Sequence, residues 1–246
     1  MLLHVFSDLN LPYLDKAEDQ QIINPDTEYV VITGNTSFEN KRALLFAEQL
    51  ALKYPKTAII FNYGIYELKG KLYTAVEDGY NTRINILKQS PKNVFYPKGS
   101  IVGNFDIYCT IGWPLYHSLD DFNSSILVDS TVISFSESLY IGDVCVTEKY
   151  GKVFNMDFVK MMAEKESVLL NEWINDDKGK PKILVSAIGS NSGSVLKNIN
   201  YSIFNNLNLN NVLWISGGDM LKVSKNQLCS PEKERIHFYD IANFFE

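Results

Sequence analysis

Apolar positions in this chain gather into short runs, and nearly every run ends on a small or polar residue. Leu2, Leu3, Val5 and Phe6 stop at Ser7-Asp8-Leu9-Asn10. The β-branched and aromatic block at 28–33 (EYVVIT) breaks at Gly34-Asn35, and the block at 57–61 (TAIIF) breaks at Asn62-Tyr63-Gly64. Runs of this length bounded by turn residues predict buried strands. Between two of them, Ala43, Leu44, Ala47, Leu50, Ala51 and Tyr54 recur at helical spacing until Tyr54-Pro55 halts the pattern. The middle is less regular, with short strands expected near 93–96, 101–103, 106–112 and 138–146. The longest helical pattern covers 155–175 and places Phe158, Met162, Leu169 and Trp173 on one face. Strands follow at 182–186 (KILVS), 211–215 (NVLWI) and 235–239 (RIHFY). Such alternation predicts an α/β layered fold. No repeat and no long linker interrupts it, so a single domain over 1–246 is expected.

Composition narrows the classes of function. The chain has 246 residues, 46% hydrophobic and 21% charged, which is ordinary for a globular protein rather than a disordered one. Its net charge is −6, and Lys41-Arg42 and Lys178, Lys180, Lys182 are its densest basic spots. Duplex nucleic acid demands a broader basic footprint, so no such partner is expected. Three cysteines, Cys109, Cys145 and Cys229, stand far apart with no CxxC pair, which suits a reducing compartment. No run approaches the roughly 20 apolar residues of a membrane span, and the first residues lack the basic region of a signal peptide. A cytoplasmic protein without membrane contact is the expectation. The wealth of Asn, Lys and Tyr suits an AT-rich genome such as that of a bacterial virus.

Open α/β sheets bind ligands where parallel strands end, so the strand-end loops hold the candidate chemistry. Their order resembles the calcineurin-like metallophosphoesterases over nearly the whole chain. That family carries Asp-x-His, Gly-Asp, Gly-Asn-His-Asp/Glu, a later strand-end His, and Gly-His-x-His. Ser7-Asp8-Leu9-Asn10 is similar to the first block and Thr33-Gly34-Asn35 to the second. Asn62-Tyr63-Gly64-Ile65-Tyr66 matches the third in position, Ser186-Ala187 the fourth, and Ser216-Gly217-Gly218-Asp219-Met220 the fifth. Gly112-Trp113 resembles the family's Trp-bearing turn. The resemblance implies an α+β-like sandwich, two facing mixed β-sheets flanked by helices, with two metals at the strand ends.

Matched residue by residue, the family's ligands are mostly replaced. Asp8 is retained, while Asn10 stands for a histidine and Asn35 for the aspartate that bridges the metals. Tyr63 and Gly64 occupy the positions of the Asn and the His that assists the leaving group. Ala187 replaces the next histidine, and Ser216, Gly218 and Met220 line the last block. The chain has three histidines, His4, His117 and His237, and none falls in a ligand block. Two dications about 4 Å apart repel strongly, and a neutral bridging amide does not offset that. Ser, Ala, Gly and Met offer little to a hard or borderline cation.

Two readings follow. In the favoured one, the chain is a catalytically inactive metallophosphoesterase-like protein without a cofactor, kept as a binding or structural module for a protein partner or a second copy of itself. Asp8 then only shapes its turn through loop N–H groups. In the alternative, it is an atypical phosphoesterase holding Mg²⁺ or Mn²⁺ weakly at Asp8 and Asp219, with His117 as a general acid. Two further features are weaker. The small-residue stretch 186–194 could cradle a phosphate with backbone N–H groups, but lacks the ending of a P-loop. Aromatic residues near the expected site mouth, including Tyr13, Tyr63, Tyr66, Trp113, Tyr116 and Phe122, could stack a base or form a contact surface. His4 and His237 read as packing residues within strands.

Overall fold

A computed structural model describes residues 2–7, 9, 26–37, 40–64, 67, 73–87, 89, 92–113, 156–188, 203–217, 227–229 and 236–240. The strand expected at 138–146 lies outside them. In chain order the elements are β1 (Leu2–Phe6), β2 (Thr27–Ile32), α1 (Asn40–Lys53), β3 (Ala58–Phe61), α2 (Tyr73–Leu87), β4 (Val94–Phe95), β5 (Lys98–Val102), β6 (Phe105–Thr110), α3 (Met156–Asn175), β7 (Lys182–Ser186), a 3₁₀ turn at Ile203–Asn206, β8 (Val212–Ser216), β9 (Gln227–Cys229) and β10 (Ile236–Asp240).

These strands form two five-stranded mixed sheets, ordered β10-β1-β2-β3-β4 and β5-β6-β7-β8-β9. In each sheet four neighbours run parallel and one edge strand is antiparallel: β10 against β1, and β5 against β6. Parallel strands covered on both faces should be apolar along their whole length. β6 and β8 are buried at every position, and β7 at all but its first. Side chains from both sheets merge into one core. Tyr29 of β2 packs edge-on against Phe105 of β6 with ring centres 5.3 Å apart, and its hydroxyl accepts the Asn104 N–H at 3.3 Å.

The helices follow their apolar stripes. In α1, Ala43, Leu44, Ala47, Leu50 and Ala51 are buried as the spacing predicts. Its last carbonyls have no partner within the helix, and the Asn93 amide supplies one, donating to Ala51, Tyr54 and Thr57 oxygens at 3.3, 2.9 and 2.8 Å. The helix α2 has no counterpart in the sequence expectations. Its buried side chains (Val76, Tyr80, Ile84 and Leu87) make a narrow stripe among poor helix formers such as Asp78, Gly79, Asn81 and Thr82. Tertiary contacts hold it: Arg83 pairs with Glu48 of α1 at 2.7 Å, and Tyr80 stacks flat on Tyr63, ring centres 5.0 Å apart.

On α3 Met162 and Trp173 are buried as expected, Leu169 is not, and the side chain of Phe158 lies outside those described. Val159, Met162, Ala163, Glu166, Leu170 and Trp173 point inward, whereas Leu169 is 41% exposed. Leu169 is apolar but sits at the edge of the stripe, beside the buried Leu170. The C-terminus of α3 is closed by Lys182, whose ammonium donates to the Trp173 and Asp176 carbonyls at 2.9 and 2.6 Å. Lys182 and Lys178 each reach the fully buried Asp106 carboxylate at 3.2 Å. Among the described residues, no helix is long and apolar enough to cross a membrane.

Candidate functional site

The parallel strands of both sheets end on loops that meet one another. Ladder bonding continues one step past the strands: Thr33 N–H donates to Phe6 O at 2.9 Å, Asn62 N–H to Ile32 O at 2.8 Å, Ala187 N–H to Thr110 O at 3.1 Å and Gly217 N–H to Ser186 O at 2.9 Å. Asn62 then joins the two sheets. Its buried side-chain amide donates to the Thr33 carbonyl at 2.9 Å and the Thr110 carbonyl at 2.7 Å, the first at the end of β2 and the second at the end of β6.

At this junction the second, third and fourth sequence blocks come together. Gly34 (φ 122°) and Asn35 (φ 53°) both have positive φ, the region that favours Gly and tolerates Asn. A Cβ on Gly34 would stand 2.8 Å from Gly64 N, 2.9 Å from Ala187 Cβ and 2.9 Å from the Tyr63 carbonyl carbon. A Cβ on Gly64 would overlap the Asn35 side chain and lie 2.7 Å from its backbone N. The loops are therefore in contact, with no space for a larger side chain at either glycine. Ser186 and Ser216 are register partners at the ends of β7 and β8, both fully buried, and the Ser186 hydroxyl accepts the Trp214 indole N–H at 2.8 Å.

The central group of this junction is one that sequence reasoning missed. Glu67 is fully buried, and its carboxylate accepts four backbone N–H groups from two loops. One oxygen takes Thr36 at 2.6 Å and Ser37 at 3.2 Å; the other takes Gly64 at 2.8 Å and Asn35 at 3.1 Å. Burial pushes its carboxyl above the ordinary carboxylate range, and the N–H bonds from Gly64, Ser37 and Thr36 work against that shift. Glu166 of α3 does related work at the end of β6. Burial again raises its carboxyl, opposed first by the Lys98 charge and then by hydrogen bonds from the Thr110 hydroxyl and the Trp113 and Gly112 N–H groups. A Glu on the apolar stripe of α3 was a readable signal for the second of these. Glu67, three residues past Gly64 in an irregular stretch, carried no periodic signal.

The remaining candidates fall into two groups. Asp8, Asn10, His117, Gly218, Asp219 and Met220 lie outside the described residues, as do Tyr13, Tyr66, Tyr116, Phe122 and most of the 186–194 stretch. Tyr63 and Trp113 are inside and are core residues, 0% and 1% exposed, so neither offers a face for a base or a partner. Their rings are consumed by packing, Tyr63 between Tyr80 and Tyr96. His4 is fully buried in β1 and stacks on Phe6 with centres 4.3 Å apart, as a packing residue should. Among the described residues, no three of His, Cys, Asp or Glu gather as a metal would require.

No family model matches the chain, and no curated protein matches it. A search of solved structures finds a likeness to the crystal structure of phosphopantetheinyl hydrolase (PptH) from Mycobacterium tuberculosis. It covers 93% of this chain and 87% of that one, with a TM-score of 0.56 at 11% identity. At that identity the likeness speaks for the arrangement of sheets and helices, which this chain shares with a hydrolase.

Proposed function

We propose that this chain is a metallophosphoesterase-like pseudoenzyme, a calcineurin-like sandwich of two facing sheets that serves as a binding or structural module. The observation that carries this reading is the Glu67 carboxylate and its four loop N–H groups. Backbone N–H groups converging on one point are what a phosphoryl oxygen would use. Here they already bond an internal anion, and an incoming oxyanion would have to displace a buried carboxylate. The packing of Gly34, Gly64 and Ala187 supports the same reading, since a histidine at position 64 would need space that the Asn35 loop takes. Asn35 brings a neutral amide where a bridging anion would be needed, and no cofactor is part of this proposal. A protein partner or a second copy of the chain is the proposed ligand of the module.

The likeness to a hydrolase favours a second reading, an atypical phosphoesterase with Mg²⁺ or Mn²⁺ held weakly by Asp8 and Asp219. Hydrolysis of p-nitrophenyl phosphate and bis-p-nitrophenyl phosphate in Mg²⁺, Mn²⁺ or Zn²⁺ separates the two. The pseudoenzyme reading expects rates equal to those of an Asp8→Ala/Asp219→Ala double variant. Metal-dependent turnover that the double variant loses would establish the second reading instead.

A further inference from the structure

A cavity of about 440 Å³ opens between α3, β5, β6 and α2, within the size range of small-molecule sites. Its apolar wall is formed by the Tyr108 and Trp173 rings, centres 5.5 Å apart and tilted by 44°, with Met162 and Leu169 beside them. Its polar lining has both signs: the carboxylates of Glu77, Glu166, Glu172 and Asp176 against the ammoniums of Lys98, Lys165 and Lys178. Lys178 is already engaged, donating to the Gly99 carbonyl at 2.7 Å and pairing with Asp106 and Asp176 at 3.2 and 3.4 Å. The groups left to meet a ligand are Lys98 and Lys165 together with Glu77, Glu166 and Glu172.

The Lys98 ammonium stands 4.9 Å from the centre of the Tyr96 ring and 5.6 Å from that of Tyr108. Among the described residues it forms no ion pair with Glu166, although its charge acts on the Glu166 carboxyl across the cavity. Glu166 is nine-tenths buried and accepts the Trp113 N–H at 3.4 Å. A carboxylate offers about four acceptor positions, so room remains for a ligand donor.

We propose that this cavity binds a small zwitterion of the amino-acid type, with its ammonium at Glu166 and Glu172, its carboxylate at Lys98 and Lys165, and an apolar side chain over Tyr108 and Trp173. A lining that combines both charges with an aromatic wall matches a molecule with both charges and an apolar arm. A nucleotide would share the wall, but its phosphates would meet a lining with one more carboxylate than ammonium. An amine alone would leave the two lysines unanswered.

The test is a calorimetric or ligand-observed NMR titration of the full chain with L-phenylalanine and L-leucine, beside phenethylamine, 3-phenylpropionate and AMP. Saturable binding of the amino acids is expected, with each single-charge analogue about tenfold weaker or worse, since a hydrogen bond to a charged group is worth that much. Lys98→Met and Glu166→Gln should each weaken L-phenylalanine by a similar factor. Because Glu166 also supports the fold, Leu169→Arg is the second variant: its position is 41% exposed, and the larger side chain should block the cavity while the melting temperature stays unchanged. No saturable response up to about 10 mM, far weaker than a specific site gives, would overturn the proposal. So would AMP binding more tightly than the zwitterions, or amino-acid binding unaffected by Leu169→Arg.

Discussion

Replacing Glu67 by Gln exchanges one carboxylate oxygen for an NH₂ and leaves the side chain's shape intact. The carboxylate accepts two N–H groups on each oxygen. In the variant one oxygen becomes an NH₂, so two accepted bonds turn into donor facing donor, at Thr36 and Ser37 or at Gly64 and Asn35. A hydrogen bond to a charged acceptor contributes about 1.5–3 kcal/mol, and a buried donor left without a partner costs about 1–3 kcal/mol. Part of this is returned, because the neutral amide no longer suffers the desolvation that raises the Glu67 carboxyl. The net expectation at neutral pH is a loss of about 2–5 kcal/mol, which for a chain of this size lowers the melting temperature by roughly 5–15 °C. Urea unfolding followed by circular dichroism measures it, with Glu164→Gln on the exposed face of α3 as the control. A Glu67→Gln midpoint indistinguishable from that control would refute the idea that this carboxylate ties the loops together.

Three other substitutions follow from the same geometry. Asn62→Ala removes the amide that joins Thr33 and Thr110 across the sheets, taking a donor from the buried Thr33 carbonyl and leaving the Thr110 carbonyl with the Ala187 N–H alone, and should cost about 1–3 kcal/mol in urea unfolding. Lys182→Met should destabilise more than Lys178→Met: Lys182 also closes α3 through two carbonyls and its side chain is 12% exposed, against 28% for Lys178. A double comparison in a thermal melt decides the order. Glu67 and Glu166 are both held above the ordinary carboxylate value, so the native state keeps protons that the unfolded chain has released. Stability should therefore fall as pH rises from the ordinary carboxylate range through the raised values, and recover on acidification. Glu166→Gln removes one of these protons, and its urea midpoint should change less between about pH 5 and pH 8 than that of the parent chain; an unchanged slope would contradict the assignment.

Much of the sheet order could be read from apolar runs that stop at polar or glycine loops, because a parallel strand buried on both faces has little choice of residue. β2, β3, β7 and β8 lie within a residue or so of the blocks that predict them. α1 was legible from one clean stripe and a Tyr54-Pro55 stop. α2 was missed although Val76, Tyr80, Ile84 and Leu87 recur at helical spacing, because the poor helix formers Asp78, Gly79, Asn81 and Thr82 lie between them. Leu169 shows the complementary error: an apolar residue near a helical stripe need not be on it. At the candidate site, Asn35, Gly64 and Ala187 were picked by position and do converge. Glu67 was invisible and Asn62 was named only as part of a loop, because a buried polar residue's role is recognised by its partners and those are 30 or more residues away in the chain for Thr36, Ser37 and Thr110.

The claim that the strand-end loops are closed by the chain's own groups, with no tight metal site left, rests finally on calorimetry. Metal-stripped protein and its Asp8→Ala variant are titrated side by side with Mn²⁺. Closed loops predict no saturable heat in either protein. Micromolar binding to the parent chain that disappears in Asp8→Ala would contradict it, and would place a working metal at the end of β1.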